Sequence, residues 1–277
     1  VFCTSQLLLW AACLPVATQS LLQLPEYSAE STVNAASQTA GRIAPNSIFT
    51  VYGRHLSLAT WALSASDIRN GNLPTDVPGL NVSVLVRGIP VPLYYVSPTQ
   101  INALIPANFT PGPARLEITR GIARGPRIDF EIVSEAPDIF MFEDGFAAAT
   151  HPDGRTITPD APVAPGQYAV IYGTAWGAVQ TSLTQQHIAA SGALLRKWPD
   201  VRLWIEELEL AWPAVFYAGL TPGFAGLYQI NVRLPDNAHE LARDGVLELL
   251  LDIAATPSAR KVKIPVTNPA NATQSLP

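Results

Sequence analysis

The chain has 277 residues, of which 48% are hydrophobic and only 14% charged, with 25 prolines and a formal net charge of −5. That length suits two domains, and sparse charge with abundant proline disfavours a helical protein. The acidic balance and scattered basic residues exclude a nucleic-acid surface.

Taken from its start, the chain opens on an apolar run, Leu7-Leu-Leu-Trp-Ala-Ala-Cys-Leu-Pro-Val-Ala17, that is too short to span a bilayer. Small residues follow at Ala17, Thr18 and Ser20, so residues 1–20 read as a secretory signal peptide, although no Lys or Arg precedes Arg42. The first residue is Val1, which places the expected true start upstream or at an alternative start codon. Both cysteines, Cys3 and Cys13, fall in this segment, so the mature protein is expected to carry no disulfide and no thiolate metal site. Leu9-Trp-Ala-Ala-Cys13 also resembles a bacterial lipobox, with Trp10 in place of an aliphatic residue; a lipid anchor at Cys13 is the alternative reading. No later segment is long and apolar enough to be a transmembrane span.

Residues 21–39 are small and polar and read as a linker. Strands follow in period-two alternation. Val82, Val84 and Val86 share one face, as do Ile128, Phe130 and Ile132. Later come Val201, Leu203 and Ile205, then Leu247, Leu249, Leu251 and Ile253, then Val262, Ile264 and Val266. One polar face per strand is the mark of antiparallel sheets hiding one side. Short helical turns are expected only within 58–67, 182–190 and 238–244.

The order of the strands repeats. Ile43-Ala-Pro-Asn-Ser-Ile-Phe-Thr-Val-Tyr-Gly53 returns as Val163-Ala-Pro-Gly-Gln-Tyr-Ala-Val-Ile-Tyr-Gly173, and Gln100-Ile-Asn102 returns as Gln229-Ile-Asn231. A domain-sized repeat of this kind predicts two tandem immunoglobulin-like β-sandwiches, residues 40–135 and 136–267, followed by a tail at 268–277. The repeated residues have structural readings. Ala-Pro sets an extended start, the glycine lets the strand turn, and the tyrosine buries its ring while its hydroxyl finds a partner. The Gln-Ile-Asn amides are expected to tie a loop to a strand.

Asn34-Ala-Ala-Ser37, Ala44-Pro-Asn-Ser47, Val91-Pro-Leu-Tyr-Tyr-Val-Ser-Pro98, Ala136-Pro-Asp-Ile-Phe140 and Tyr217-Ala-Gly-Leu-Thr-Pro-Gly-Phe-Ala-Gly-Leu-Tyr-Gln-Ile-Asn231 complete an ordered series. Together with the repeats, they resemble the Solibacter-type uncharacterised C-terminal domain family of secreted acidobacterial proteins, over residues 33–267. Each half is similar, more loosely, to IPT/TIG immunoglobulin-like domains. The resemblance implies an extracellular β module, often appended to a larger partner domain, with no established activity and no catalytic residues to carry over. One departure is Glu206-Glu-Leu-Glu209, where the family usually has a Gly-rich turn.

Chemistry-bearing motifs are sparse. His55, His151, His187 and His239 make no metal-type pair, and no Gly-x-Ser-x-Gly elbow, phosphate loop or dinucleotide fingerprint occurs. The chain therefore reads as a non-enzyme without a cofactor. Asp153-Gly154 and Asp67-Ile-Arg-Asn-Gly-Asn72 place oxygen ligands beside glycine, but their spacing is that of turns rather than calcium loops. Trp204 is the sharper lead. Alternation puts it on the polar side of its strand, between Arg202 and Glu206, and Trp198 lies a few residues upstream. These four residues are the candidate ligand-binding set, with a sugar ring as one ligand. The contrary reading is that the 178–200 loop covers Trp204. The expected function is a secreted or envelope surface-binding or adhesion module, with a cell-surface polysaccharide or an envelope protein as partner. A carbohydrate-binding accessory protein and a structural spacer of the envelope are the alternatives.

Overall fold

The computed structural model describes residues 23–180, 188 and 191–268. The expected signal, both cysteines, most of the expected 182–190 turn and the end of the tail lie outside the described residues. The protein is all-β, with helix at only 4%, far too little for helices to form a layer. Every named strand ladder is antiparallel.

Two sandwiches follow each other along the chain. In the first, the front sheet runs Thr32–Asn34, Ser47–Tyr52, Gln100–Ile105, Leu93–Val96, Trp61–Ala62 in spatial order. Its back sheet runs Ile128–Ile132, Gly112–Arg120, Val82–Val86, Ile89–Pro90. In the second, the front sheet is Asp138–Ile139, Tyr168–Thr174, Tyr228–Arg233, Val215–Leu220, Ala193–Leu194. Its back sheet is Leu208–Leu210, Val201–Ile205, Val246–Ile253, Thr256–Pro257, with Val262–Pro265 on the same edge of the Val246 strand as Thr256–Pro257. Each pair of sheets encloses its own core. Phe49, Val84, Ile101 and Leu116 belong to one, and Ile171, Leu203, Ile230 and Leu249 to the other. The alternating valines and leucines of the sequence are the inward rows that close these cores.

The repeat holds at the level of register. Thr50 faces Asn102 as Val170 faces Asn231, and Tyr52 faces Gln100 as Tyr172 faces Gln229. On the next strand Tyr95 faces Asn102 as Tyr217 faces Asn231, and both strands carry a bulge just before that tyrosine. These pairings make Ile48, Tyr94 and Leu104 equivalent to Tyr168, Phe216 and Arg233. In the back sheets Leu85 faces Pro90 as Trp204 faces Glu209, so Leu85 is the counterpart of Trp204. Parallel bridges also recur, joining Ile43 to Ile132 and Val163 to Val266.

The repeated glycines have one cause in common. A Cβ on Gly53 would run into the Glu26 carbonyl oxygen, and one on Gly173 into the Asp138 carbonyl oxygen. Both glycines therefore admit a neighbouring strand at close range. The other repeated residues differ from expectation. Gln100 Nε2 donates to Asn102 Oδ1 at 2.9 Å, and Gln229 Nε2 to Asn231 Oδ1 at 2.9 Å, so the amides run along one strand instead of tying a loop. Residues i and i+2 of a strand share a face, which brings these side chains together. The Tyr52 ring is exposed, and its hydroxyl donates to Gln38 Oε1, because its row faces away from the core.

Two more segments are corrected. The stretch read as a linker at 21–39 contains the strand Thr32–Asn34, paired with Ser47–Tyr52, and Glu26 bridges Arg54. Its small polar residues suit a strand end whose hydroxyls bond locally, as Thr32 Oγ1 does to the Ser28 carbonyl. Of the turns expected at 58–67, only Ala65–Asp67 is helical, and Trp61–Ala62 is a strand. The third turn forms at Ala238–Leu241.

The sandwiches meet through a polar and apolar junction. Ile48 N donates to Thr174 Oγ1 at 2.9 Å, Asn46 Nδ2 to the Tyr228 hydroxyl at 3.1 Å, and Asn34 Nδ2 to the Ala136 carbonyl at 3.2 Å. Arg42 and Asp138 form an ion pair beside them. Beneath, Leu73, Leu104 and Ala225 make a small buried cluster with Ile48, Tyr94 and Ile188 against it.

Candidate functional site

The hairpin formed by Val201–Ile205 and Leu208–Leu210 carries the candidate residues. Val201, Leu203 and Ile205 point into the core, and Arg202 and Trp204 point outward and are half-buried, as alternation dictates. Trp204 lies opposite Leu250 on one side and Glu209 on the other. Arg202 Nε pairs with Glu209 Oε1 at 2.8 Å, and its Nη1 donates to the carbonyls of Pro199 and Val201. The indole is thus bordered by an aliphatic side chain and a partly exposed ion pair.

Glu206 is occupied otherwise. It sits in the two-residue turn of the hairpin with φ +52°, and its Oε1 accepts from Glu248 N at 2.9 Å. That carboxylate is committed to the neighbouring strand rather than to the Trp204 face. Trp198 lies in the turn Trp198–Asp200, packs against the second core, and meets Trp212 edge-on with ring centroids 6.4 Å apart. Arg202 and Trp204 therefore share a face, joined by Glu209. Trp198 belongs to a separate pair with Trp212, just beyond the end of the hairpin.

Trp212 and Glu209 escaped the sequence reading. Trp212 is 71% exposed, the most open aromatic side chain among the described residues. It stands in Ala211-Trp-Pro213 directly after a strand, and a tryptophan before a proline in a loop was the signal available. Glu209 could be reached only through strand pairing, which fixes who faces Trp204.

Two cavities flank other parts of the molecule. One of about 480 Å³ lies between the sandwiches, lined by Asn46, Phe109, Glu135, Trp176, Lys197 and Tyr228 among others. Its rim holds the Lys197–Glu135 ion pair, and the Tyr228 hydroxyl in its floor donates to the Gly177 carbonyl. Burial raises the Tyr228 phenol far above its ordinary range, so it is a neutral structural donor. A second cavity of about 950 Å³ is bordered by Phe146, Asp160, His239 and Asp244. Among the described residues no three His, Cys, Asp or Glu side chains are placed to hold a metal ion. The acidic turns behave as turns: Asp67 Oδ2 accepts from Ser64, and Asp153 pairs with Arg155. No helix among the described residues is long and apolar enough to cross a membrane.

No family model and no curated protein matches the chain. Several solved structures are similar at low identity. SGBP-B of the Bacteroides ovatus mixed-linkage glucan utilization locus, in complex with a mixed-linkage heptasaccharide, is 10% identical with a TM-score of 0.30, covering 82% of this chain and 43% of that one. The Yersinia pseudotuberculosis adhesin InvE is 10% identical with a TM-score of 0.23, covering 88% and 60%. Domains 5–6 of the S-layer protein SbsC are 11% identical with a TM-score of 0.28, covering 88% and 99%. The chain thus spans less than half of the first of these. Likeness at this level assigns neither ligand nor activity.

Proposed function

We propose that this chain is a non-catalytic binding module of the bacterial envelope or extracellular space, with its two sandwiches divided near residues 134–138 into domains 40–135 and 136–267. Its ligand in this reading is a polysaccharide, held on the 201–212 hairpin of the second sandwich. The observation that carries the reading is the concentration of aromatic surface there. Trp204 is half-buried on the outer face, opposite Leu250 on one side and Glu209, the ion-pair partner of Arg202, on the other, and Trp212 stands 71% exposed at the hairpin's end. Indole faces receive the C–H faces of sugar rings, while a partly exposed guanidinium and carboxylate offer donors and acceptors to hydroxyls. Membership of the Solibacter-type family, and export behind the 1–20 segment, belong to the same proposal.

A glycan and polysaccharide binding screen on the chain from residue 23 onward, which lacks both cysteines, tests it. Trp204→Ala and Trp212→Ala should each weaken binding by about tenfold or more, with circular dichroism unchanged. Binding that is unaffected by both substitutions overturns the site. No binding to any glycan leaves the spacer reading in its place.

A further inference from the structure

The junction between the sandwiches shows what covers one end of the first front sheet. Ile48, Tyr94 and Leu104 lie there, and the loop at residues 221–227 from the second sandwich rests on them. The Tyr94 hydroxyl donates to the Ala225 carbonyl, and a Cβ on Gly226 would collide with Leu104. Glycine and alanine are what let that loop approach so closely.

The equivalent end of the second front sheet carries Tyr168, Phe216 and Arg233, fixed there by the same register and the same bulge. It has no such cover among the described residues. Tyr168 is 44% and Phe216 40% exposed, and their rings meet edge-to-face with centroids 5.3 Å apart. Arg233 pairs with Asp236 at the rim. A solvent-facing sheet end has no need of aromatic residues, and polar ones would lower its cost in water. The hydroxyl that Tyr94 supplies in the first sandwich is missing from Phe216, but Tyr168 brings one to the adjoining position.

We propose that this end of the second sandwich is a docking surface for a further protein module, an adjoining β-sandwich that lays a glycine- and alanine-rich loop across Tyr168 and Phe216. A second copy of this chain is the poorer occupant, because its own loop is already used: Ala225 is buried against its first sandwich. The contact is head-to-tail, so each added module extends the row instead of closing it.

The test is a nuclear magnetic resonance titration of the isotopically labelled full chain. The probe is a cyclised peptide with the sequence Thr-Pro-Gly-Phe-Ala-Gly-Leu of residues 221–227. Saturable shifts should centre on Tyr168, Phe216, Asn231 and Arg233. They should vanish in the Tyr168→Ser/Phe216→Ser double variant, whose melting temperature stays within a few degrees of the parent because both rings are exposed. Trp204→Ala and Trp212→Ala should leave the titration unchanged, which separates this surface from the proposed glycan site. The proposal is overturned if the peptide gives no saturable shift or if a scrambled peptide does equally well. It is also overturned if a glucan hexasaccharide shifts the patch in the peptide's place. Movement of the patch resonances when the chain is ended at Asn268 would instead show that its own tail is the cover.

Discussion

Arg42 reaches across the junction to Asp138, Nε to Oδ2 at 3.1 Å, and closes over a carboxylate whose side chain is only 2% exposed. The second carboxylate oxygen accepts from Ala259 N at 2.7 Å, and Arg42 Nη2 also donates to the carbonyls of Pro137 and Pro257. One guanidinium thus ties the strand that opens the second sandwich to the Val246–Pro257 hairpin from outside.

Burial raises the Asp138 carboxyl above its ordinary value, with the Ala259 amide and Arg42 pulling the other way. A carboxyl raised on folding binds its proton more tightly in the folded state. Its contribution is therefore most favourable below the unfolded value and is lost as pH rises through the folded one. Arg42→Ala should raise the carboxyl further and cost about 3 kcal/mol at pH 7. Urea denaturation should show that penalty shrinking as pH falls and Asp138 takes up its proton. A penalty independent of pH would mean that Arg42 acts by packing alone.

The turn between Val246–Ile253 and Thr256–Pro257 consists of two alanines in the left-handed region, Ala254 at φ +51° and Ala255 at φ +65°. The Asp252 carboxylate accepts from Ala255 N at 2.9 Å and holds the turn. Glycine relieves a Cβ clash that costs roughly 1–2 kcal/mol per residue, less what its greater unfolded freedom takes back. Ala255→Gly should stabilise the protein by about 0.5–1 kcal/mol, read as a higher denaturation midpoint. The opposite change in the equivalent kind of turn, Gly88→Ala at φ +76°, should destabilise it.

Gly53→Ala and Gly173→Ala should act alike, since each Cβ meets a carbonyl oxygen of the adjacent strand. A loss of about 2 kcal/mol or more is expected for each, because the backbone must give way. If one is tolerated and the other not, the two strand contacts are not equivalent.

The tryptophans should separate by role. Trp176 is fully buried and donates from Nε1 to the Asp138 carbonyl at 3.1 Å, so Trp176→Ala should cost about 3–5 kcal/mol. Trp212→Ala, on the open surface, should move stability by about 0.5 kcal/mol or less. Thermal melts of the two variants decide this independently of any ligand.

The parts of the fold that were legible in the sequence are those written in local periodicity. Val201, Leu203 and Ile205 announce an inward row, and that row alone places Trp204 outward. Two copies of one motif announce two like units. Whatever depends on cross-strand partners was not legible. Nothing local in residues 21–39 reveals a strand, because Thr32–Asn34 is ordered by Ser47–Tyr52 beside it. Glu206 and Glu209 look interchangeable in Glu206-Glu-Leu-Glu209, yet the turn at Glu206 sends one carboxylate to a backbone amide and the other to Arg202. Trp198 is near Trp204 in sequence, but a turn of helix ahead of the strand aims it at the core instead.

The parallel bridges have a mechanical side. Val133 N donates to the Ile43 carbonyl at 2.9 Å, and Thr267 N to the Val163 carbonyl at 2.9 Å. Each sandwich is thus latched by two segments that run in the same direction and lie far apart in sequence. Tension drawn through the chain pulls such segments past one another, so the latch is loaded in shear and its bonds must give way together. Antiparallel neighbours at a hairpin would instead peel open one bond at a time. Under tension, the two latches would be the points that hold longest.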